Sequence, residues 1–182
     1  MKLAIYNNTS FGAKYVDKTH IQKYNQEDGK YHEAEASFVM LDPYIDEDKA
    51  TFHDLIRKWT DADLTYMIYD NFLKKCDARY YATTIQNEGF KNLAPEKILS
   101  VCEFTENENN GGKIEFIEGN PDIINNPYSE YKAVGTSMIK PLKNKYKKIN
   151  LVSVPSEKAV NFYKRNGFKQ YPDHNLKFYW EA

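Results

Sequence analysis

The stretch that most constrains this chain lies near its end. Residues 149–154 are largely apolar, and Pro155 closes the run. Ser156 then offers a side-chain oxygen to the unpaired amides of a helix start, and Glu157 puts negative charge in the first turn. Ala159 and Tyr163 are four apart and share a side, with Phe162 beside them. Gly167 suits the left-handed residue that ends a helix, and Phe168 can pack back on it. A buried strand feeding a capped amphipathic helix points to a sheet layered with helices.

The rest of the sequence fits that frame. Residues 2–6 and 34–41 read as strands, and the polar residues 7–30, with Gly12 and Gly29, read mostly as loop. Asp46, Glu47 and Asp48 favour a first helical turn, followed by Phe52, Leu55, Ile56 and Trp59 at one-sided spacing. Asp61 or Asp63 caps a second helix running to residue 75, with Leu64, Met67, Ile68 and Phe72 on one side. His53 reads as a surface residue of the first helix.

Residues 79–86, 98–105 and 113–118 then read as an antiparallel meander. In the last of these, Ile114 and Phe116 share one face and Glu115 and Ile117 the other. A polar loop at 122–130 precedes a helix over 134–146, where Pro141 removes a donor and predicts a kink. The closing strand covers 176–181.

Residues 132–137 have the makings of an anion cradle. The amides that open a helix lack partners, and its dipole adds positive potential. Around the backbone of Ala133 and Val134, Gly135 leaves room, Thr136 and Ser137 offer hydroxyls, and Lys132 adds charge.

These residues resemble the Gln/Arg-x-x-Gly-x-Gly/Ala motif of the GNAT superfamily of acyl-CoA-dependent N-acetyltransferases, with Lys132, Gly135 and Ser137 at the matching positions. The helix described first resembles the family's Asn-x-x-Ala-x-x-Phe-Tyr-x-x-x-Gly-Phe motif. Ala159, Phe162, Tyr163, Gly167 and Phe168 match it, and Ser156 stands where Asn is usual. The likeness covers residues 79–168. The loop over 120–130, longer than in many members, is similar to one in some bacterial members.

The resemblance implies an α/β (mixed α+β) GNAT fold, a central, mostly antiparallel twisted sheet flanked by helices. It implies one domain over residues 1–182, with 1–78 on the acceptor side and 79–182 carrying the sheet and the acyl-CoA part. Acetyl-CoA is the implied co-substrate, with no metal. Lys132, Ala133, Val134, Gly135, Thr136 and Ser137, with Ser156 and Ala159, would hold the cofactor. Ile117, Glu118 and Gly119 would bond its pantetheine arm like an added strand. Tyr163 would protonate the departing thiolate, unless it is a core tyrosine with a satisfied hydroxyl. The proton of the amine would pass to Glu115, which can point into a cleft, or to Glu118 or a water chain.

The implied activity is direct transfer of an acetyl group to a primary amine in a ternary complex, the acceptor being a small molecule or a peptide. No Gly-x-Ser-x-Gly elbow suggests a covalent route. Two other readings stay open: a GNAT-fold module that binds CoA without catalysis, and a tRNA-directed or nucleic-acid-binding protein. The latter draws on Lys140, Lys143, Lys145, Lys147 and Lys148, but a net charge of −1 gives no global attraction to nucleic acid. Cys76 and Cys102 read as reduced core thiols. No segment reads as a signal peptide or a membrane span, so a cytoplasmic protein is expected, with a homodimer left open.

Overall fold

A computed structural model describes residues 12–59 and 62–182. In chain order the elements are β1 (Lys14–Asn25), β2 (Lys30–Leu41), α1 (Asp46–Lys58), α2 (Asp63–Leu73), β3 (Arg79–Thr84), β4 (Ile98–Asn107), β5 (Gly111–Gly119), α3 (Pro121–Ile124), β6 (Tyr131–Lys132), α4 (Val134–Lys145), β7 (Lys148–Val152), α5 (Glu157–Arg165), β8 (Lys169–Tyr171) and β9 (His174–Glu181). The strands form one sheet in the order β6-β1-β2-β3-β4-β5-β7-β9-β8. Among the described residues only β5 and β7 pair in parallel, and every other neighbour is antiparallel. The mixed, mostly antiparallel sheet flanked by helices is therefore as expected.

Each face of the sheet buries its own core. Phe52, Leu55 and Trp59 of the α1 region and Ile68 and Phe72 of α2 pack on Val39, Tyr80, Ala82 and Val101. Met138, Ile139 and Leu142 of α4 and Tyr163 of α5 pack on Phe38, Tyr81, Phe104 and Ile149 of the opposite face. β3 alternates between the two cores and is buried from Tyr80 to Thr84, the pattern of a strand covered on both sides.

The structure corrects several expectations. Much of 7–30 is not loop but the long strand β1, closed onto β2 by the hairpin around Gly29. The strand expected over 2–6 lies outside the described residues, as does Asp61. Asp63 is the first residue of α2 instead of its cap, and Met67 is about half exposed at 46% while Thr65 takes its place in the buried stripe. The loop after β5 contains the short α3, capped by Asn120, whose side chain accepts from the Asp122 amide at 3.0 Å. Cys102 is buried, but Cys76 is exposed. His53 is on the surface, as expected.

A bulge sets the phase of β5. Glu103 faces Phe116 and Phe104 faces Ile114, so Glu115 is the extra residue. Ile114 therefore packs with α4, whereas Phe116 packs with the α1–α2 core, contrary to the simple alternation.

α4 runs through Pro141 to Lys145. A mid-helix proline leaves the carbonyl four residues back without its amide donor. That carbonyl belongs to Ser137, and the Thr19 hydroxyl of β1 donates to it at 2.7 Å. Thr19 is almost wholly buried, so no water could substitute. Thr19→Val should cost about 1–3 kcal/mol of stability in urea unfolding. A Thr19→Val, Pro141→Ala double variant should recover most of that loss.

Asp48, in the first turn of α1, is buried and accepts from the Asp42 amide at 2.8 Å. Burial pushes its carboxyl up to about 7. The folded state thus holds this proton more tightly than the unfolded chain does. The resulting stabilisation is complete below about pH 4 and lost as pH rises through about 7. Asp48→Asn should remove that slope, so its stability relative to wild type rises between pH 4 and 7 by up to ~4 kcal/mol and is flat above.

Candidate active site

The site begins where two strands part. β5 pairs with β7 from Gly111–Lys148 to Ile114–Leu151 and no further. Its pairing with β4 continues to Gly119. From Glu115 onward the β7-facing edge of β5 has no strand partner among the described residues. A cleft of about 640 Å³ opens there, lined by Glu115, Ile117 and Gly119 of β5, by Val152, Ser153 and Val154, and by the start of α5. Leu64 of α2 and Gly135 of α4 complete the wall.

α5 enters the cleft as its sequence predicts. Ser156 is its N-cap and accepts from the Ala159 amide at 3.3 Å. Ser156, Ala159 and Tyr163 all border the cleft. The Tyr163 ring is wedged between Phe162, Phe168 and Phe178, with centroids 5.0, 5.8 and 5.9 Å away. Its hydroxyl makes no hydrogen bond among the described residues. Burial raises the phenol above its usual range and keeps it protonated at neutral pH.

The cradle at α4 is built differently from the expectation. Gly135 does border the cleft, but its missing Cβ is used by Phe162: a methyl there would lie 2.9 Å from two ring carbons. Gly135 thus lets α5 approach the first turn of α4. The Ser137 hydroxyl is a correction. It is fully buried, donates to the Val134 carbonyl at 2.7 Å and reaches Thr83 Oγ1 at 3.4 Å. Ser100 joins this network, 2.6 Å from Thr83 and donating to Val134 at 3.3 Å. Ser137 is therefore closed to a ligand and instead seats the helix start on β3 and β4. Its amide is also taken, by the Ala133 carbonyl at 2.9 Å.

Val134 is buried, while Gly135 and Thr136 stay part-exposed. Ala133 precedes them in the left-handed conformation, φ 61°. Lys132 sits on β6, away from the cleft, with its ammonium 3.9 Å from the Tyr31 ring centroid.

The two glutamates separate. Glu115 borders the cleft and pairs with Lys113. Glu118 points to the other face, where it accepts from the Thr65 amide at 2.6 Å and the Thr65 hydroxyl at 2.7 Å. It thereby caps α2, which has no side-chain cap of its own. Burial raises the Glu118 carboxyl against those two bonds. Nearby, Glu103 is also buried and accepts from Asn71 Nδ2 at 2.9 and 3.2 Å.

Sequence reasoning missed the cations of the cleft. Lys113, Lys158 and Arg165 line it, and Glu115 is the sole acid among the described lining residues. Lys158 and Arg165 are seven apart, two helical turns on one face, a signal the sequence does carry. Of the Lys-rich run, Lys143 is half-buried, bonds the Asn166 carbonyl that ends α5, and lies 4.8 Å from the centroids of both Phe168 and Trp180.

No protein-family model and no curated protein matches this chain. Solved structures do. A mutant of the AtaT toxin, bound to the C-terminus of the antitoxin AtaR and acetyl-CoA, is 12% identical with a TM-score of 0.50, over 80% of this chain and 92% of that one. The NatC complex bound to Gag peptide and CoA gives 18% and 0.49, over 81% and 98%. An acetyltransferase from Streptococcus agalactiae gives 12% and 0.47, over 74% and 91%. This chain has the GNAT fold.

Gly135→Ala should destabilise the protein by roughly 1–2 kcal/mol, as overpacking against Phe162 outweighs the gain in helix propensity. In a Phe162→Leu background the same change should cost less, which urea unfolding of the four proteins would show.

Proposed function

We propose that this protein transfers an acetyl group from acetyl-CoA to a primary amine by direct attack. The observation that carries the reading is the unpaired edge of β5, which runs along a cleft bordered by Glu115 and Tyr163 together. Backbone groups of Ile117 and Gly119 on the free edge suit the amides of a pantetheine arm, whereas those of Glu118 face β4. The part-exposed start of α4, the start of α5 and the cations Lys158 and Arg165 suit its phosphates. Residues 1–78 contribute the acceptor side, a role that Leu64 in the cleft wall supports.

In the reaction the amine nitrogen attacks the thioester carbonyl and a C–N bond forms. The proton it sheds goes to Glu115 or to a water held there. The C–S bond then breaks, and the thiolate takes the Tyr163 phenolic proton, which solvent replaces. A tyrosine kept neutral by burial, with its hydroxyl unengaged, suits that task. Glu118 does not serve as the base, because its carboxylate is held by Thr65.

A module that binds CoA without catalysis is the second reading. Lys132 placed over Tyr31 favours it, since the cradle then lacks that charge.

Tyr163→Phe should lower kcat by ~100-fold in an acetyl-CoA thiol-release assay, with CoA binding unchanged by calorimetry. Unchanged turnover would remove Tyr163 from the chemistry. Turnover absent from wild type across amine classes, with CoA still bound, would favour the binding module. Absence of CoA binding near millimolar concentration would end both readings.

A further inference from the structure

A second hollow adjoins the cleft. It measures about 350 Å³, lies on β7, β8 and β9, and shares Lys113 and Val152 with the cleft. It exists because the α1–α2 core covers β2 to β5 and stops there. On β7, Ile149 and Leu151 turn toward α4, so Asn150 and Val152 face the uncovered side, where Val152 is 52% exposed.

The lining is one-sided in charge and in hydrogen bonding. Lys113, His174 and Lys177 line the hollow, and no Asp or Glu does so among the described residues. Lys113 is already paired with Glu115. The Lys177 ammonium lies 3.4 Å from His174 Nε2 and has no carboxylate partner among the described residues. The Tyr171 hydroxyl donates to Asn150 Oδ1 at 2.9 Å, which leaves the Asn150 amide hydrogens free to donate. Uncompensated donors without acceptors suit an anion.

The spacing can be read from the sheet. Lys177 of β9 is opposite Val152 of β7, one residue past the last β5–β7 pair at Ile114 and Leu151. Two strand spacings, about 10 Å, are therefore the least that separates the β5 edge from Lys177.

We propose that the acceptor is an amine carrying a carboxylate or phosphate at least about 10 Å from its reactive nitrogen. The hollow around Lys177 and Asn150 holds that anion while the amine reaches Glu115. This specificity rests on the acyl-transfer reading; the anion site itself does not.

The test uses the full chain and short peptides with free N-termini, matched as Glu against Gln, or phosphoserine against Ser, at the third residue. In thiol-release assays the acidic peptides should show a KM about tenfold lower, with little change in kcat. Lys177→Glu should erase that preference and favour a Lys-bearing peptide. The carboxylate and phosphate arms show which anion is preferred.

NMR titration with the same peptides gives a readout independent of turnover. Acidic peptides should shift the His174 and Tyr171 resonances, and Lys177→Glu should abolish the shifts. Those shifts without turnover of any amine would sustain the anion site and count against acyl transfer. Equal KM values for acidic and neutral peptides, or no selective shifts at His174 and Tyr171, would overturn the proposal.

Discussion

Every feature of the candidate site depends on β5 and β7 staying together only as far as Ile114 and Leu151. Parallel neighbours in the middle of a sheet would normally pair along their length, because unpaired backbone groups in a protein interior are costly. Here the freed edge of β5 faces an open cleft, so its amides and carbonyls meet solvent or ligand instead of apolar packing. The starts of α4 and α5 border the gap, and Phe162 against Gly135 sets how closely they approach each other. The bulge at Glu115 falls one residue beyond the last pair and turns the strand's later side chains to new faces.

α4 is held along its length by polar side chains. Ser137, Ser100 and Thr83 seat its first turn, and Thr19 meets its exceptional carbonyl. At the far end the Tyr146 hydroxyl donates to Glu106 at 2.6 Å and contacts the Tyr81 hydroxyl at 2.8 Å. Such fully partnered buried networks specify one seating for a helix more sharply than apolar contact alone. The cleft therefore has a firmly seated floor on this side, while its opposite side is bordered by Leu64 of α2 and by Val152 of β7.

The sequence was most legible where the signals were local. The cap at Ser156, the Gly167 stop and the spacing of Ala159 and Tyr163 all describe α5 as observed. β1 was illegible for a physical reason. Its register shifts between Tyr15 and Asp17, so Val16 falls out of phase with buried Thr19 and Ile21, and no clean alternation survives. Glu118 stood as an alternative base because its partner, Thr65, is 53 residues away. Ser137 looked like a ligand because small hydroxyl residues at a helix start serve either ligand or scaffold, and only packing decides between them. The cleft itself, made by an absence of pairing, leaves no mark in composition or periodicity.

The hydroxyl of Thr19 joins residues 118 positions apart. A helix normally satisfies its own backbone as it winds, and can form before the remainder of the chain arrives. Here one turn of the helix beside the cleft stays incomplete until the hairpin of β1 and β2 docks. The early segment, which carries none of the recognisable motifs, thus finishes the architecture that displays them. Deleting it would do more than strip a border from the sheet: it would leave the cleft-bearing half with a permanent internal defect.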